Sequence, residues 1–477
     1  MNYAIVFNVL GNLLRFLGLI MVFPLVVALY YGEPLLPFAT SIVITVASGI
    51  ALSRIWKTES EWKIREGFLI VVLGWLSAAI FGSIPFLFEG VTVINALFET
   101  MSGFTSTGAT ILVDIEAYSK SLLFWRSMTQ WVGGMGIIVL VIAILPKLGV
   151  AGRQLFRAEA PGPFEDKIKP RIRGTAKILW SVYLVISFLE VMALLIAGLS
   201  LYDALTHTFS TMGCGGFSPY GDSIATFNSP LVEGIITFFM FIAGASFALH
   251  YRTFYSDRKS LINDEEFRIY ALVVVCLTLI ISLILWRDSY PDIFGAFRYG
   301  VFQIVSISTA TGFATADFNL WSDSAKFIII ASMFVGGCSG SAAGGVKVVR
   351  SLLFVKFSIR ELFRLVHPKS VKPITFNKKA VPESILQSIV SFLGLYLLLA
   401  FFTASVLAIQ GMDIITSLTA SFATIGNIGP GLNVVGPWGN FDVIPAFSKV
   451  MLIGNMLFGR LELFTVFVLL LPEFWSD

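Results

Sequence analysis

The stretch SGFTSTGATI, Ser102–Ile111, decides how this chain is read. It holds small hydroxyl residues, two glycines and no charge, and oily segments flank it on both sides. It is too polar to face lipid and too poor in helix formers to be a spanning helix. The chain around it has 477 residues, of which 56% are hydrophobic and 13% charged, with a mean hydropathy of +0.84. A soluble protein of this length carries roughly a quarter charged residues. The composition is that of a polytopic membrane protein. The 44 phenylalanines suit lipid-facing helix surfaces. A net charge of +3 gives no ground for nucleic-acid binding. The cysteines Cys214, Cys276 and Cys338 form no CxxC and lie in or beside apolar stretches, which argues against a disulfide framework or a zinc site.

Apolar runs long enough to span a bilayer occur near 3–31, 35–53, 67–88, 122–146, 176–200, 230–250, 268–286, 325–346 (interrupted), 383–410 and 446–471. The first is too long for a signal-peptide core and lacks a small-residue cleavage site, so it stays in the membrane. Basic residues cluster after the second run (Arg54, Lys57, Lys63, Arg65), the fourth (Lys147 to Lys177), the sixth (Arg252, Arg258, Lys259, Arg268) and the eighth (Lys347 to Lys379). No Lys or Arg falls between Lys177 and Arg252, or between Lys379 and Lys449. By the positive-inside rule every second loop, and both termini, are expected in the cytoplasm.

From the third run onward each outer loop contains a half-apolar stretch too short to span: VINALFETMSGFTSTGAT, YDALTHTFSTMGCGGFSP, FRYGVFQIVSISTATGFATADF and IITSLTASFATIGNIGPG. Such a stretch is expected to dip in and return. Irregular backbone at membrane depth survives only buried in protein or lining a water-filled cavity. Gly108, Gly213, Gly312 and Gly426 recur at intervals of about 100 residues, the mark of an internal repeat. The expected fold is therefore all-α and polytopic, with four parallel helix–re-entrant loop–helix repeats around a central pore. Two extra N-terminal transmembrane helices occupy 1–62, and the repeats occupy 63–170, 171–262, 263–379 (with a broken second helix) and 380–477. Four loops around an axis can supply rings of backbone carbonyls in place of a cation's hydration shell. The expected filter residues are Thr105, Ser106, Thr107 and Gly108; Ser210, Thr211, Met212 and Gly213; Thr309, Ala310, Thr311 and Gly312; and Ala423, Thr424, Ile425 and Gly426.

FTSTGAT, FWRSMTQWVGGMGIIVL (124–140), GGCSGSAAGGVKVVR (336–350), ATIGNIGPG (423–431) and GRLELFTVFVLL (459–470) resemble the Trk potassium-uptake family, TrkH/TrkG type, over essentially the whole chain. The extra pair of helices fits TrkH-like members better than shorter KtrB-like relatives. The resemblance implies a potassium-conducting subunit of the bacterial inner membrane, with K+ as permeating ion and metal at the filter. It also implies a homodimer above a cytosolic TrkA-like ring, with nucleotide (NAD or ATP/ADP) on that partner and no cofactor in this chain. A serine in the first loop accompanies sodium permeation in plant and fungal relatives. Here the position is Gly108, which implies potassium preference.

Two basic residues lie at membrane depth. Arg460 falls roughly 20 Å into the tenth run, where an isolated charge is costly. It either snorkels to the cytoplasm or faces the pore as a barrier, and the apolar residues after it favour the pore. Glu462, two residues on, is expected on another helix face. Lys347 closes GGCSGSAAGGVK, a stretch that breaks the eighth run. In the other repeats the matching span is less broken, WVGGMG (131–136) being a smaller glycine patch, and this asymmetry argues for a role. The resemblance implies that Gly336, Gly337, Ser339, Gly340, Gly344, Gly345 and Lys347 belong to an obstructing loop beneath the filter. The alternative is a packing break at a helix crossing. Asp114, Glu116, Asp203, Asp222, Asp317, Asp323, Asp413 and Asp442 collect on the outer side, either as a cation-focusing vestibule or as solvated loop ends. The state of Glu190, within the fifth run, stays open. His207, His250 and His367 have no metal-ligand spacing, and no HExxH, GxSxG or P-loop occurs, so no enzyme chemistry is expected. The competing function is an ion-coupled (H+ or Na+) potassium symporter that uses the broken helix as its coupling site.

Overall fold

The computed structural model describes residues 1–58, 63–136 and 172–476. The second half of the run 122–146 and the basic cluster Lys147 to Arg171 lie outside the described residues. Six described helices are long and apolar enough to cross a membrane: Tyr3–Tyr31, Leu36–Ile55, Arg65–Phe88, Lys177–Ile196, Glu265–Asp288 and Glu383–Ile409. The span Glu265–Asp288 shows the logic of such a helix. Tyr270, Val274, Ile281 and Leu285 are buried on one face, while Leu272, Val275, Leu279 and Leu283 are exposed on the other. A wide exposed stripe of this kind would aggregate in water and belongs against lipid.

Four shorter helices follow four of these elements: Val93–Phe104, Leu201–Met212, Ile293–Ser308 and Ile414–Ile425. The 12-residue ones are roughly 18 Å long, too short to span a 30 Å core. Three start on side-chain caps: Ser200 accepts from Asp203 N, Asp292 from Phe294 N and Asp413 from Thr416 N. All four are buried towards their C-terminal ends.

A further helix returns after each short one, and here the structure corrects an expectation. The sixth and tenth runs are not single spans. Pro230–Ala243 and Phe247–Tyr255 meet at 95°, and Ala446–Arg460 and Leu463–Leu470 at 116°. The helix Lys120–Gly134 ends at the WVGGMG patch. Breakage is thus not peculiar to the eighth run. What sets that run apart is length, because a long coil separates Asp323–Ser332 from Val348–Val366. The breaks have a packing cause. An added Cβ at Gly133 would overlap the carbonyl of Phe104, and one at Gly459 would overlap that of Ile425, so each returning helix presses its backbone on the end of a short helix.

The first returning helix is tied to its short helix by a buried ion pair. Arg126 Nε lies 2.5 Å from Glu99, with side-chain exposures of 2% and 0%. Glu99 also accepts from Ile111 N and Thr110, and Arg126 donates to Ser218 O at 2.8 Å. Removing one partner of such a pair strands a buried charge. Arg126→Met is expected to destabilise the protein by about 3–5 kcal/mol, and adding Glu99→Gln to recover most of that loss. Thermal unfolding in detergent reads both variants. A double variant no more stable than Arg126→Met would show that the pair is not the energetic unit.

Candidate functional site

The last turns of the four short helices share one hydrogen-bond pattern. Thr107 N donates to Ser102 O (2.8 Å), Gly215 N to Ser210 O (2.9 Å), Thr311 N to Ser306 O (2.8 Å) and Ile428 N to Ala423 O (2.8 Å). Each bond closes a Schellman motif, the helix stop in which one residue turns left-handed. The left-handed residues are Ser106 (φ 52°), Cys214 (φ 52°), Ala310 (φ 56°) and Asn427 (φ 51°). None is glycine, and this conformation costs Ser106, Cys214 and Ala310 about 1–2 kcal/mol each, whereas Asn427 is of a type that tolerates it. Two residues later comes a glycine with positive φ in all four: Gly108 (80°), Gly216 (72°), Gly312 (87°) and Gly429 (98°).

This pattern corrects the alignment made from sequence in two of the four loops. Gly213 and Gly426 do not stand level with Gly108 and Gly312. They cap the helix ends, at the level of Thr105 and Thr309, with φ of −70° and −80°. Ser210, Thr211 and Met212 are the last helical residues of the second short helix, and Ala423, Thr424 and Ile425 those of the fourth. The matching segments are Thr105–Gly108, Gly213–Gly216, Thr309–Gly312 and Gly426–Gly429. The second and fourth loops each offer several glycines, and spacing alone chose the wrong one. The shared dipeptides Gly216-Phe217 and Gly312-Phe313 would have marked the right register of the second loop, though not of the fourth, where Gly429 precedes Pro430.

The four glycines close a ring. An added Cβ at Gly108 would overlap the carbonyl of Gly215, one at Gly216 that of Thr311, and one at Gly312 that of Ile428. One at Gly429 would sit 2.7 Å from the carbonyl of Thr107. Each loop therefore abuts the next, and the fourth abuts the first. All four glycines line a single cavity of about 200 Å³, which neither Gly213 nor Gly426 reaches.

Side chains hold the ring from behind, by two devices. In the first and third loops, paired threonines form hydroxyl chains. Thr105 donates to Met101 O (2.6 Å) and lies 2.8 Å from the Thr107 hydroxyl. Thr309 donates to Val305 O (2.7 Å) and lies 2.8 Å from Thr311. The second and fourth loops lack the pair, and amides replace it. Gln130 Nε2 donates to Gly215 O at 2.7 Å and its Oε1 accepts from Phe217 N at 3.0 Å. Asn427 Nδ2 donates to Thr107 Oγ1 (2.9 Å) and Met456 O (3.0 Å), joining the fourth loop to the first. Behind the second loop, His207 Nδ1 lies 2.8 Å from Asp203 O and its Nε2 3.1 Å from Ser218 Oγ. A carbonyl only accepts, so Nδ1 carries the proton and Ser218 donates to Nε2. Sequence reasoning missed Gln130, on a helix, and Asn427, in the turn after one, because a polar residue does not say which neighbouring loop it will reach.

The interruption 336–347 lies against the ring. Cys338 N donates to Gly244 O (2.8 Å), and Phe247 N to Gly340 O (3.1 Å). An added Cβ at Gly344 would overlap the carbonyl of Gly426. Ala342 and Ala343 pack in one cluster with Cys214, Met212 and Tyr183. Glu266 accepts from Ser339 N (2.7 Å) and Val349 N (3.2 Å). The structure thus brings Gly336, Gly337, Ser339, Gly340, Gly344, Gly345 and Lys347 to the helix-end side of the ring.

Arg460 is also there, but not mid-helix as expected. It is the last residue of Ala446–Arg460, because the chain bends directly after it. It is buried, and donates to Ala342 O (2.8 Å) and Gly133 O (2.7 Å). It thereby clamps the interruption to the first returning helix. Glu462 is not on the same helix at all. It pairs with Arg350, whose guanidinium lies 4.0 Å above the Phe392 ring. Lys347 (φ 71°, ψ 135°) and Glu462 (φ 64°, ψ 133°) restart their helices in the same strained conformation. Glu190 is fully buried with no hydrogen-bond partner among the described residues. Several of the outer acidic groups serve as caps and ties: Asp203 accepts from Tyr220 Oη (2.8 Å), Asp317 caps Asn319, and Asp442 pairs with Lys449.

The register makes a testable distinction within one loop. Gly429→Ala places a side chain at φ 98°, 2.7 Å from the carbonyl of another loop, whereas Gly426→Ala meets Ile428 Cδ1 at 2.8 Å and the Phe422 carbonyl of its own helix at 2.9 Å, at an ordinary φ. Gly429→Ala is expected to lose at least about 1–2 kcal/mol more stability than Gly426→Ala, read by thermal unfolding in detergent. The reverse order would restore Gly426 to the level of Gly108.

Comparison with known proteins agrees with this architecture. Residues 37–476 match the family model TrkH, described as a cation transport protein. The chain is 41% identical to the Trk system potassium uptake protein TrkH of Escherichia coli (strain K12), with 100% of both chains covered. It is 34% identical to the Trk system potassium uptake protein TrkG of the same organism, covering 100% of this chain and 99% of that one. The crystal structure of the potassium transporter TrkH from Vibrio parahaemolyticus superposes with a TM-score of 0.89 at 37% identity over 100% of both chains. This integral membrane protein belongs to the TrkH family of cation transport proteins, which are transporters rather than enzymes.

Proposed function

We propose that this chain is the pore-forming subunit of a potassium-uptake system, conducting K+ through a single filter built from four parallel repeats. The observation that carries it is the ring. Four positive-φ glycines from four loops line one cavity, each against a carbonyl of the next loop. A dehydrated cation needs oxygens in place of water, and carbonyls crowded around one axis supply them. The filter segments are Thr105–Gly108, Gly213–Gly216, Thr309–Gly312 and Gly426–Gly429. The four short helices end at the ring, so the negative ends of their dipoles favour a cation there. The names of the relatives, potassium uptake protein and potassium transporter, support potassium as the cation.

The interruption 336–347 is the gate, and Arg460 its latch. The loop lies against the helix ends that bound the ring, and Arg460 ties its Ala342 carbonyl to the Gly133 carbonyl of the first returning helix. The membrane is a bacterial inner membrane, with both termini cytoplasmic. Two copies form a dimer above a cytosolic TrkA-like ring, whose bound nucleotide controls the loop. A coupled symporter is the second reading, and the length of the interruption is what favours it.

Proteoliposome flux tests these assignments. Gly108→Ser is expected to narrow the potassium-to-sodium flux ratio, and an unchanged ratio would remove the first loop from the filter. Shortening Gly340–Gly345 is expected to raise basal potassium flux, and a folded variant no faster than wild type would make the interruption a packing element. Arg460→Gln gives up charge-assisted hydrogen bonds worth roughly 1.5–3 kcal/mol. At tenfold per about 1.4 kcal/mol, basal flux per inserted protein should rise about tenfold or more, with Arg460→Lys intermediate. Equal flux for all three proteins removes Arg460 from the gate. Uptake that stops without a proton or sodium gradient would favour the symporter.

A further inference from the structure

Arg15 is the sole charged residue of the first span, Tyr3–Tyr31, and it is exposed on the outer surface of the helix. Among the described residues it has no ion pair. Its one hydrogen-bond partner is Asn12 Oδ1, at 3.3 Å. An arginine inside a span is costly and ordinarily has an anionic partner. Among the described residues none supplies it, and a lipid phosphate beside the exposed guanidinium would.

The neighbouring helix fixes the depth. Tyr3–Ile20 and Leu36–Ile55 cross closely at Gly11 and Gly49, where an added Cβ on either would sit 2.7 Å from the other's carbonyl. The same test at Gly49 falls 2.9 Å from Arg15 Cγ, so Arg15 lies level with Gly49. Trp56 follows roughly 10 Å further along that helix. It is 40% exposed, packs against Phe7 with ring centroids 5.4 Å apart and planes tilted by 31°, and stands beside exposed Arg54 and Lys57. An aromatic ring flanked by basic residues marks the membrane interface. Helical side chains lean towards the N-terminus, and Arg15 reaches back onto Asn12, on the side of that interface.

Beyond Arg15 the two helices leave a groove of about 550 Å³. Its polar end is Asn12 and Arg15. Its walls are Phe16, Leu19 and Val22 on one side and Ile42, Val46 and Ile50 on the other. The geometry points to a binding site for an anionic glycerophospholipid, with the phosphate on Arg15 and Asn12 and an acyl chain along the apolar walls. Charge complementarity selects this occupant. A zwitterionic lipid would bring its own cation to a place where Arg15, Arg54 and Lys57 already set a positive field.

The site is tested on the full chain in vesicles of equal parts phosphatidylglycerol and phosphatidylcholine. The protein is extracted in mild detergent, washed, and its retained lipid counted by native mass spectrometry. Wild type is expected to retain phosphatidylglycerol in preference. Arg15→Gln should lower the ratio of retained phosphatidylglycerol to phosphatidylcholine about fivefold, and Arg15→Lys should keep most of it. Val22→Phe fills the apolar end without touching the charge and should lower total retained lipid. Equal lipid retention by wild type, Arg15→Gln and Val22→Phe overturns the proposal. So does a change of oligomeric state in Arg15→Gln with lipid retention intact, because the groove would then be an interface between copies.

Discussion

The close approach of four backbone turns is the constraint from which most of this structure follows. Loops can abut one another through glycine and carbonyl only if nothing larger stands between them, which is why Gly108, Gly216, Gly312 and Gly429 have no room for a Cβ. The turns that deliver those glycines place Ser106, Cys214, Ala310 and Asn427 in a left-handed conformation. Such strain persists only where the surroundings over-determine it. They do so here through the hydroxyl chains of Thr105 and Thr309, the amides of Gln130 and Asn427, and the ion pair of Glu99 with Arg126. These polar groups lie where an apolar core would pack as well without them. Their presence follows from the need to hold carbonyl-bearing backbone in place with no neighbouring strand to pair with it.

The returning helices answer to the same constraint from the other side. Each must bring its backbone against the end of a short helix, and in the described repeats each stops or bends where it does so. Helix ends expose carbonyls that need donors. Arg460 meets that need for Gly133 and for Ala342 at once, so the residue that ends the last returning helix also fastens the longest interruption. Lys347 and Glu462 then restart their helices in matching strained conformations. The interruption is therefore built into the framework around the ring, and moving it would disturb its contacts with Gly244, Phe247 and Gly426 and its tie to Arg460.

Much of this was legible in the residue pattern. Apolar runs of spanning length, the alternation of basic loops, and half-length stretches rich in Ser, Thr and Gly are local properties of a chain in a bilayer. The physics behind them acts within a few residues, and the helices Tyr3–Tyr31, Leu36–Ile55 and Glu265–Asp288 formed where that physics placed them. The first and third loops were also legible, since TSTG and TATG carry one glycine after a threonine pair.

The second and fourth loops were decided by tertiary structure. GCGG and GNIG contain more than one glycine, and only the meeting of neighbouring loops determines which glycine must lack a side chain. The partners of Gln130, Asn427, Arg460 and Glu462 lie on other elements, tens to hundreds of residues away, and no local pattern names them. The amino-acid sequence by itself determined that the chain is a membrane protein and where its long apolar helices lie, because hydropathy and helix length are properties of single segments. Which backbone oxygens face one another, and which side chains brace them, depends on the packing of four segments at once, and that only the folded structure could decide.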